Sequence, residues 1–286
     1  MALSVIKDIR KIYAGLNADE IRGTAHQQVN IGLLATSNAG YEALEDFLVP
    51  EFLNKDVRAE ALSSVFRADE GPSRRHFVIA APGVHAPSGS FAFDPSDPER
   101  TLRGIAETHQ DLELAIARRF PRFRGVVTNR IIHRVSRENA LFALVTALPN
   151  VIPSVLDLPW ALGEFATDTA FLTMNQIRMA LVLAAAHGRP VGYAEQKIQI
   201  ATIAAGAFGW RALARELVGK IPLGGGLIPK AAVAFAGTYV VGLGLEHANR
   251  TGKGLSRAES RDAWADAFAK GKEVMRELTP ALIKKS

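Results

Sequence analysis

Residues 35–42, Ala35-Thr-Ser-Asn-Ala-Gly40-Tyr41-Glu42, have the length and setting of a loop that wraps nucleotide phosphates. They follow an apolar run at 29–34 and lead into a helical pattern at 41–48. Such a loop needs glycines that let the backbone close around the phosphates, a lysine for their outer oxygens, and a hydroxyl for magnesium. Only Gly40 meets the requirement. Ala35 stands at the first glycine position, Tyr41 at the lysine position and Glu42 at the hydroxyl position. A second apolar run, 77–80, ends in Ala80-Ala81-Pro82-Gly83, with Ala80 where a metal-contacting aspartate would stand. Thr128-Asn129-Arg130 has the asparagine of a base-reading motif, but Ile132 replaces its aspartate. Glu42 would repel phosphate, and nothing restores the lost positive charge. The expectation is a degenerate phosphate loop without hydrolysis, or a small α/β module of other origin.

The remaining reactive side chains form no complete constellation. Cysteine is absent, which removes disulfides and thiolate chemistry together, and the seven histidines have no metal-ligand spacing. No Gly-x-Ser-x-Gly nucleophile turn occurs. Catalytic, cofactor-binding and metal-binding residues are therefore all expected to be none, and the protein to be non-enzymatic. Glu164, Asp168, Asn175 and Arg178 share one broad face of a helical pattern over 160–187. Two carboxylates on one helix could begin a metal site, but no Glu-x-x-His partner exists elsewhere. These four are read as interhelical hydrogen-bonding groups that fix bundle register. Arg211 and Arg215, an i, i+4 pair, are read as their partners, with lipid headgroups as the alternative.

Charge is distributed very unevenly. Arg118, Arg119, Arg122, Arg124, Arg130, Arg134 and Arg137 lie in one stretch without an acidic residue among them. Directly after it, residues 139–163 carry a single charge, Asp157. A basic collar beside an apolar segment suits an anionic membrane face, and equally the rim of a soluble bundle. Nucleic acid is disfavoured, because Phe120 and Phe123 are too few aromatics for a stacking platform. The net charge of +5 implies an anionic neighbour.

The elements needed to position these residues change character along the chain. Strands are expected at 29–34, 77–80 and 91–93, with helices at 41–48 and 59–66. From about residue 98 the pattern is helical: 99–120, the collar to 148, 160–187, 193–219, 230–247, and a last helix opened by the Ser256/Glu259 capping box. The fold class is α+β, with a helix and small α/β module over 1–97 and an all-helical apolar domain over 98–286. An apolar content of 48% and mean hydropathy of +0.07 exclude intrinsic disorder. Lys7, Asp8, Arg10 and Lys11 interrupt any signal-peptide core. Residues 231–245 supply fifteen uncharged positions, short of the about 20 that cross a bilayer. Pro149, Pro153 and Pro159 break the longer apolar run.

Several blocks are distinctive as sequence. Arg137-Glu-Asn-Ala-Leu-Phe-Ala-Leu, Asn175-Gln-Ile-Arg178-Met, Gly188-Arg-Pro190, Gly206-Ala-Phe-Gly-Trp-Arg-Ala-Leu-Ala-Arg215, Ile221-Pro-Leu-Gly-Gly-Gly and Ala234-Phe-Ala-Gly-Thr-Tyr follow in that order. Over residues 123–247 the chain resembles the YcjF-like bacterial domain of unknown function, commonly fused to or encoded beside Era-like and dynamin-like GTPases. The resemblance implies a helical, often membrane-annotated module without known catalytic activity, and it transfers no functional residue.

The expectation is a bacterial protein whose helical module associates, peripherally or shallowly, with the cytoplasmic face of the inner membrane. The alternative is a soluble helical scaffold in the cytoplasm that partners a GTPase or a second copy of itself. Neither needs a small-molecule substrate.

Overall fold

The computed structural model describes residues 16–68, 75–146, 168–203 and 227–283. The architecture is α+β, a small parallel sheet with a much larger helical part. Two compact units are present: one spans Asp19–Asn129 and Ala184–Pro190, the other the described parts of Met1–Ala18, Arg130–Leu183 and Val191–Ser286.

The first unit is built on four parallel strands in the order β2-β1-β3-β4: β1 (Ile31–Leu34), β2 (Val65–Arg67), β3 (Phe77–Ala80) and β4 (Phe91–Ala92). Around them lie α1 (Ala18–Ala25), α2 (Asn38–Leu48), α3 (Lys55–Leu62), α4 (Pro98–Thr108) and α5 (Glu113–Arg119). Three strands were expected and four are present among the described residues. Asn54 caps α3 by accepting from the Asp56 amide at 2.9 Å, so this helix starts and stops earlier than its apolar pattern indicated. Val65 and Phe66 are thereby released to pair with Ile31 and Gly32, as β-branched and aromatic residues favour.

The expected single helix over 99–120 is two helices. His109 leaves the helix so that its ring packs on Phe77 (5.1 Å between centroids) and Phe91 (5.9 Å). This places α4 and α5 with the sheet, and Leu102, Ile105, Ala106 and Ile116 are buried there. The sheet-bearing unit includes both helices.

The second unit is helical. It is entered through α6 (Arg124–Val145), which follows a 3-10 turn at Pro121–Phe123, is continuous through Gly125, and belongs to the first unit as far as Asn129. It is followed by α7 (Asp168–Ala186), α8 (Leu227–Thr251) and α9 (Arg257–Ile283). Helices α8 and α9 form an antiparallel hairpin. Its turn uses Gly252 at φ 82°, in the left-handed region that favours glycine. The capping box at its far side is formed: the Ser256 amide donates to Glu259 Oε2 (2.8 Å), and the Glu259 amide to Ser256 Oγ (3.2 Å). Small residues allow close approach. A Cβ on Gly271 would sit 3.0 Å from Phe235 Cβ and 3.1 Å from the Ala232 carbonyl oxygen. Phe142 and Phe171 stack at 3.9 Å to join α6 and α7.

Candidate functional site

In the sheet unit, the loops after β1 and β3 meet at the carboxyl ends of adjacent strands, where parallel α/β sheets bind ligands. The geometry there is closed by the protein's own groups. Ser37 caps α2, and its Oγ accepts from the Gly40 amide at 3.2 Å. A Cβ on Gly40 would lie 3.0 Å from Ala35 Cβ and 3.8 Å from Ala81 Cβ, so the turn is already tight with alanine methyls. The Tyr41 ring, at the lysine position, carries the Arg67 guanidinium 4.6 Å from its centroid. Glu42 is exposed and Ala80 is fully buried. The strand–loop–helix path is present, with Tyr41 and Glu42 at the positions where a phosphate loop carries its lysine and its hydroxyl. Calorimetric titration with GTP or ATP and magnesium is expected to show no heat at micromolar concentrations.

The arginine collar divides into groups with different tasks. Arg118 Nη1 lies 2.5 Å from Glu60 Oε1 on α3, and Arg119 Nη1 donates to Ser64 Oγ at 2.9 Å. Arg124 donates to the carbonyls of Ala117 (3.2 Å) and Arg118 (3.3 Å), closing the carboxyl end of α5. These three are internal fasteners, because tertiary structure supplies the acid and the carbonyls that the local sequence lacks. Arg122, Arg134 and Arg137 are exposed, and Arg130 is half-buried.

In the helical unit, the described apolar interior contains a polar cluster that bridges helices. Asn139 of α6 donates through Nδ2 to Thr238 Oγ1 of α8 (2.8 Å) and to the Leu172 carbonyl (3.4 Å). Asn175 of α7 donates to Asn139 Oδ1 (2.9 Å), and Gln176 to Thr238 Oγ1 (3.2 Å). All four side chains are buried, and they tie three helices in one register. Asn175, read from sequence as an interhelical group, bonds Asn139 of α6, which was not in the expected set, and the Arg178 charge acts on Glu138 of α6. Glu164, Arg211 and Arg215 lie outside the described residues, as does the Asp168 side chain. Asn139, Gln176 and Thr238 were not singled out by sequence. The available signal was their polarity inside otherwise apolar stretches. Among the described residues, no group of three His, Asp or Glu could hold a metal.

Two groups on α6 titrate in opposite senses. Burial pushes the Glu138 carboxyl up, opposed by Arg178 and Arg134. Burial pushes His133 down, helped by Lys270 and Arg137. A raised carboxyl contributes stability that is full below the ordinary carboxylate range and lost as pH rises through its raised value. A depressed histidine contributes stability that is full above its ordinary value of about 6.5 and lost as pH falls through its lowered one. Glu138→Gln is accordingly expected to raise the urea midpoint at pH 8, with the gain vanishing as pH falls below the carboxylate range. His133→Gln is expected to flatten the loss of stability below about pH 6.5. Urea titrations across pH check both.

No family model, curated protein or solved structure matches this chain. The resemblance of residues 123–247 to the YcjF-like domain is an expectation from the motif blocks quoted above. Some of those motif blocks supply the buried cluster: Asn139, Asn175, Gln176 and Thr238 belong to three of them.

Proposed function

We propose that this is a non-enzymatic helical scaffold, in which the polar-keyed bundle presents a binding surface and the sheet unit is an inactive phosphate-loop-like module. One observation carries the reading. In α8, the one described helix long and apolar enough to cross a bilayer, every residue from 230 to 249 is buried or half-buried. Ala231 and Phe235 pack with Ala140 and Leu144 of α6 and Met275 of α9, and Ala236 and Val240 with Ala267. A helix covered in this way buries much of its apolar surface within the protein. The partner suggested by the motif resemblance is a GTPase, with a second copy of the chain as the other candidate. Purification without detergent, followed by light scattering, tests the reading. A monodisperse monomer or defined oligomer is expected, and a protein that stays in the membrane pellet after carbonate washing sinks it.

A second reading has its own support. Residues Lys230–Thr251 are long and apolar enough to cross a bilayer by composition, and Arg122, Arg134 and Arg137 are exposed cations. Peripheral docking on an anionic cytoplasmic leaflet would use those arginines. Vesicle flotation decides it: on this reading the protein rises only with anionic lipid.

A further inference from the structure

Asn30 and His76 face each other immediately before β1 and β3. The His76 amide donates to the Asn30 carbonyl at 2.9 Å, and the Asn30 amide donates to His76 Nδ1, also at 2.9 Å. Gln28 Nε2 donates to Asn30 Oδ1 at 3.3 Å, and Asn30 is buried. An imidazole accepts at Nδ1 only when neutral, with its proton on Nε2, whereas the imidazolium is a donor at both nitrogens. Protonation of His76 therefore points a second donor at a buried N–H and leaves that N–H without its acceptor. The other histidine of this corner, His109, ends α4, its amide donating to the Ile105 carbonyl at 2.9 Å. Its ring lies 5.1 Å from the Phe77 ring and 5.9 Å from the Phe91 ring, and those two stand edge-to-face at 6.0 Å. These rings join the link between α4 and α5 to β3 and β4.

We propose that His76 and His109 form an acid-released latch: as neutral rings they hold β1, β3 and the α4–α5 link together, and their protonation loosens that corner of the sheet unit. His76 meets the His109 ring from the α4–α5 link, and Arg75 precedes it in the chain. His109 meets His76 from the start of β3 and Asp111 from its own link, while β3 and β4 contribute the phenyl rings. Burial pushes His109 below its ordinary value, opposed by Asp111 and helped by His76. Its contribution to stability is thus full above about pH 6.5 and lost as pH falls through the lowered value. Each ring that gains charge makes the other harder to charge without release, so opening relieves both together. The surface uncovered is apolar, because Phe77 is buried while the latch is shut.

Residue-resolved hydrogen exchange of the folded full chain, at about pH 7.5 and about pH 5 and corrected for intrinsic rates, tests the latch. Protection of the Asn30 amide and of residues 105–116 is expected to fall about tenfold at the lower pH. Two replacements that cannot titrate separate the latch from general weakening in acid. His109→Phe keeps an aromatic ring against Phe77 and Phe91, and His76→Asn offers a side-chain oxygen in place of Nδ1. The double variant is expected to lose the local pH response. The tautomer gives a reading that needs no variant: imidazole nitrogen shifts at about pH 7.5 are expected to place the His76 proton on Nε2. Equal protection of Asn30 and residues 105–116 at both pH values overturns the proposal, as does a His76 proton on Nδ1. So does a loss of protection that persists unchanged in the double variant.

Discussion

Replacing Gly271 by leucine is expected to separate α8 from α9 and to remove about 3 kcal/mol or more of stability. The reason is what a side chain would meet. Its Cβ alone would lie 3.0 Å from Phe235 Cβ, 3.1 Å from the Ala232 carbonyl oxygen and 3.2 Å from Ala232 Cα. Backbone atoms cannot rotate aside, so a larger side chain must push the helices apart. That movement would strip contacts from Phe235, Ala231 and Met275, which are all fully buried. Gly244 on α8 is the matched control, because nothing lies within 4 Å of its added Cβ. Gly244→Ala is expected to be neutral or to stabilise by up to about 1 kcal/mol through helix propensity. Urea unfolding of the two variants, followed by far-ultraviolet circular dichroism, reads the contrast directly. Equal losses from both substitutions would contradict the close packing described here.

Asn139→Leu has the second largest expected effect. Its side chain connects all three helices of the polar cluster, donating to Thr238 and the Leu172 carbonyl and accepting from Asn175. Leucine leaves the Asn175 amide without its acceptor and removes one donor from Thr238. Each buried polar group stranded in this way costs about 1–3 kcal/mol, so a total of about 2–5 kcal/mol is expected. That is a large share of the 5–15 kcal/mol typical of a folded domain. Thr238→Val removes the acceptor shared by Asn139 and Gln176. Combined with Asn139→Leu it should cost less than the sum, by at least about 0.5 kcal/mol, because the two side chains share a bond. Strict additivity in such a cycle would mean that the cluster does not act as a unit.

Local periodicity and punctuation revealed much of this fold. The β3 run, the buried β1 segment, the Pro98 start of α4 and the Ser256/Glu259 cap all lie where short-range rules placed them. What was illegible depends on contacts distant in sequence. Strand β2 exists because Val65 finds Ile31, and α4 ends because the His109 ring finds Phe77 and Phe91. The collar illustrates the same limit. Seven arginines without a local acid read as one positive rim, yet Glu60 lies 58 residues before Arg118 in the chain. Once it is paired, and Arg124 has closed α5, the exposed charge is much smaller than the sequence implied. In the polar cluster, Asn175 was recognisable from its helical face. Asn139 and Thr238 were not, because they lie 99 residues apart and only packing brings them together.

Hydrogen exchange of the α8 amides, with and without anionic vesicles, tests most directly whether this helix is the interior of a self-sufficient bundle. Slow exchange over residues 231–249 in aqueous buffer without detergent, unchanged by vesicles, is the expected result. Fast exchange in buffer that slows only when vesicles or detergent are added would contradict it, and would make α8 a membrane helix.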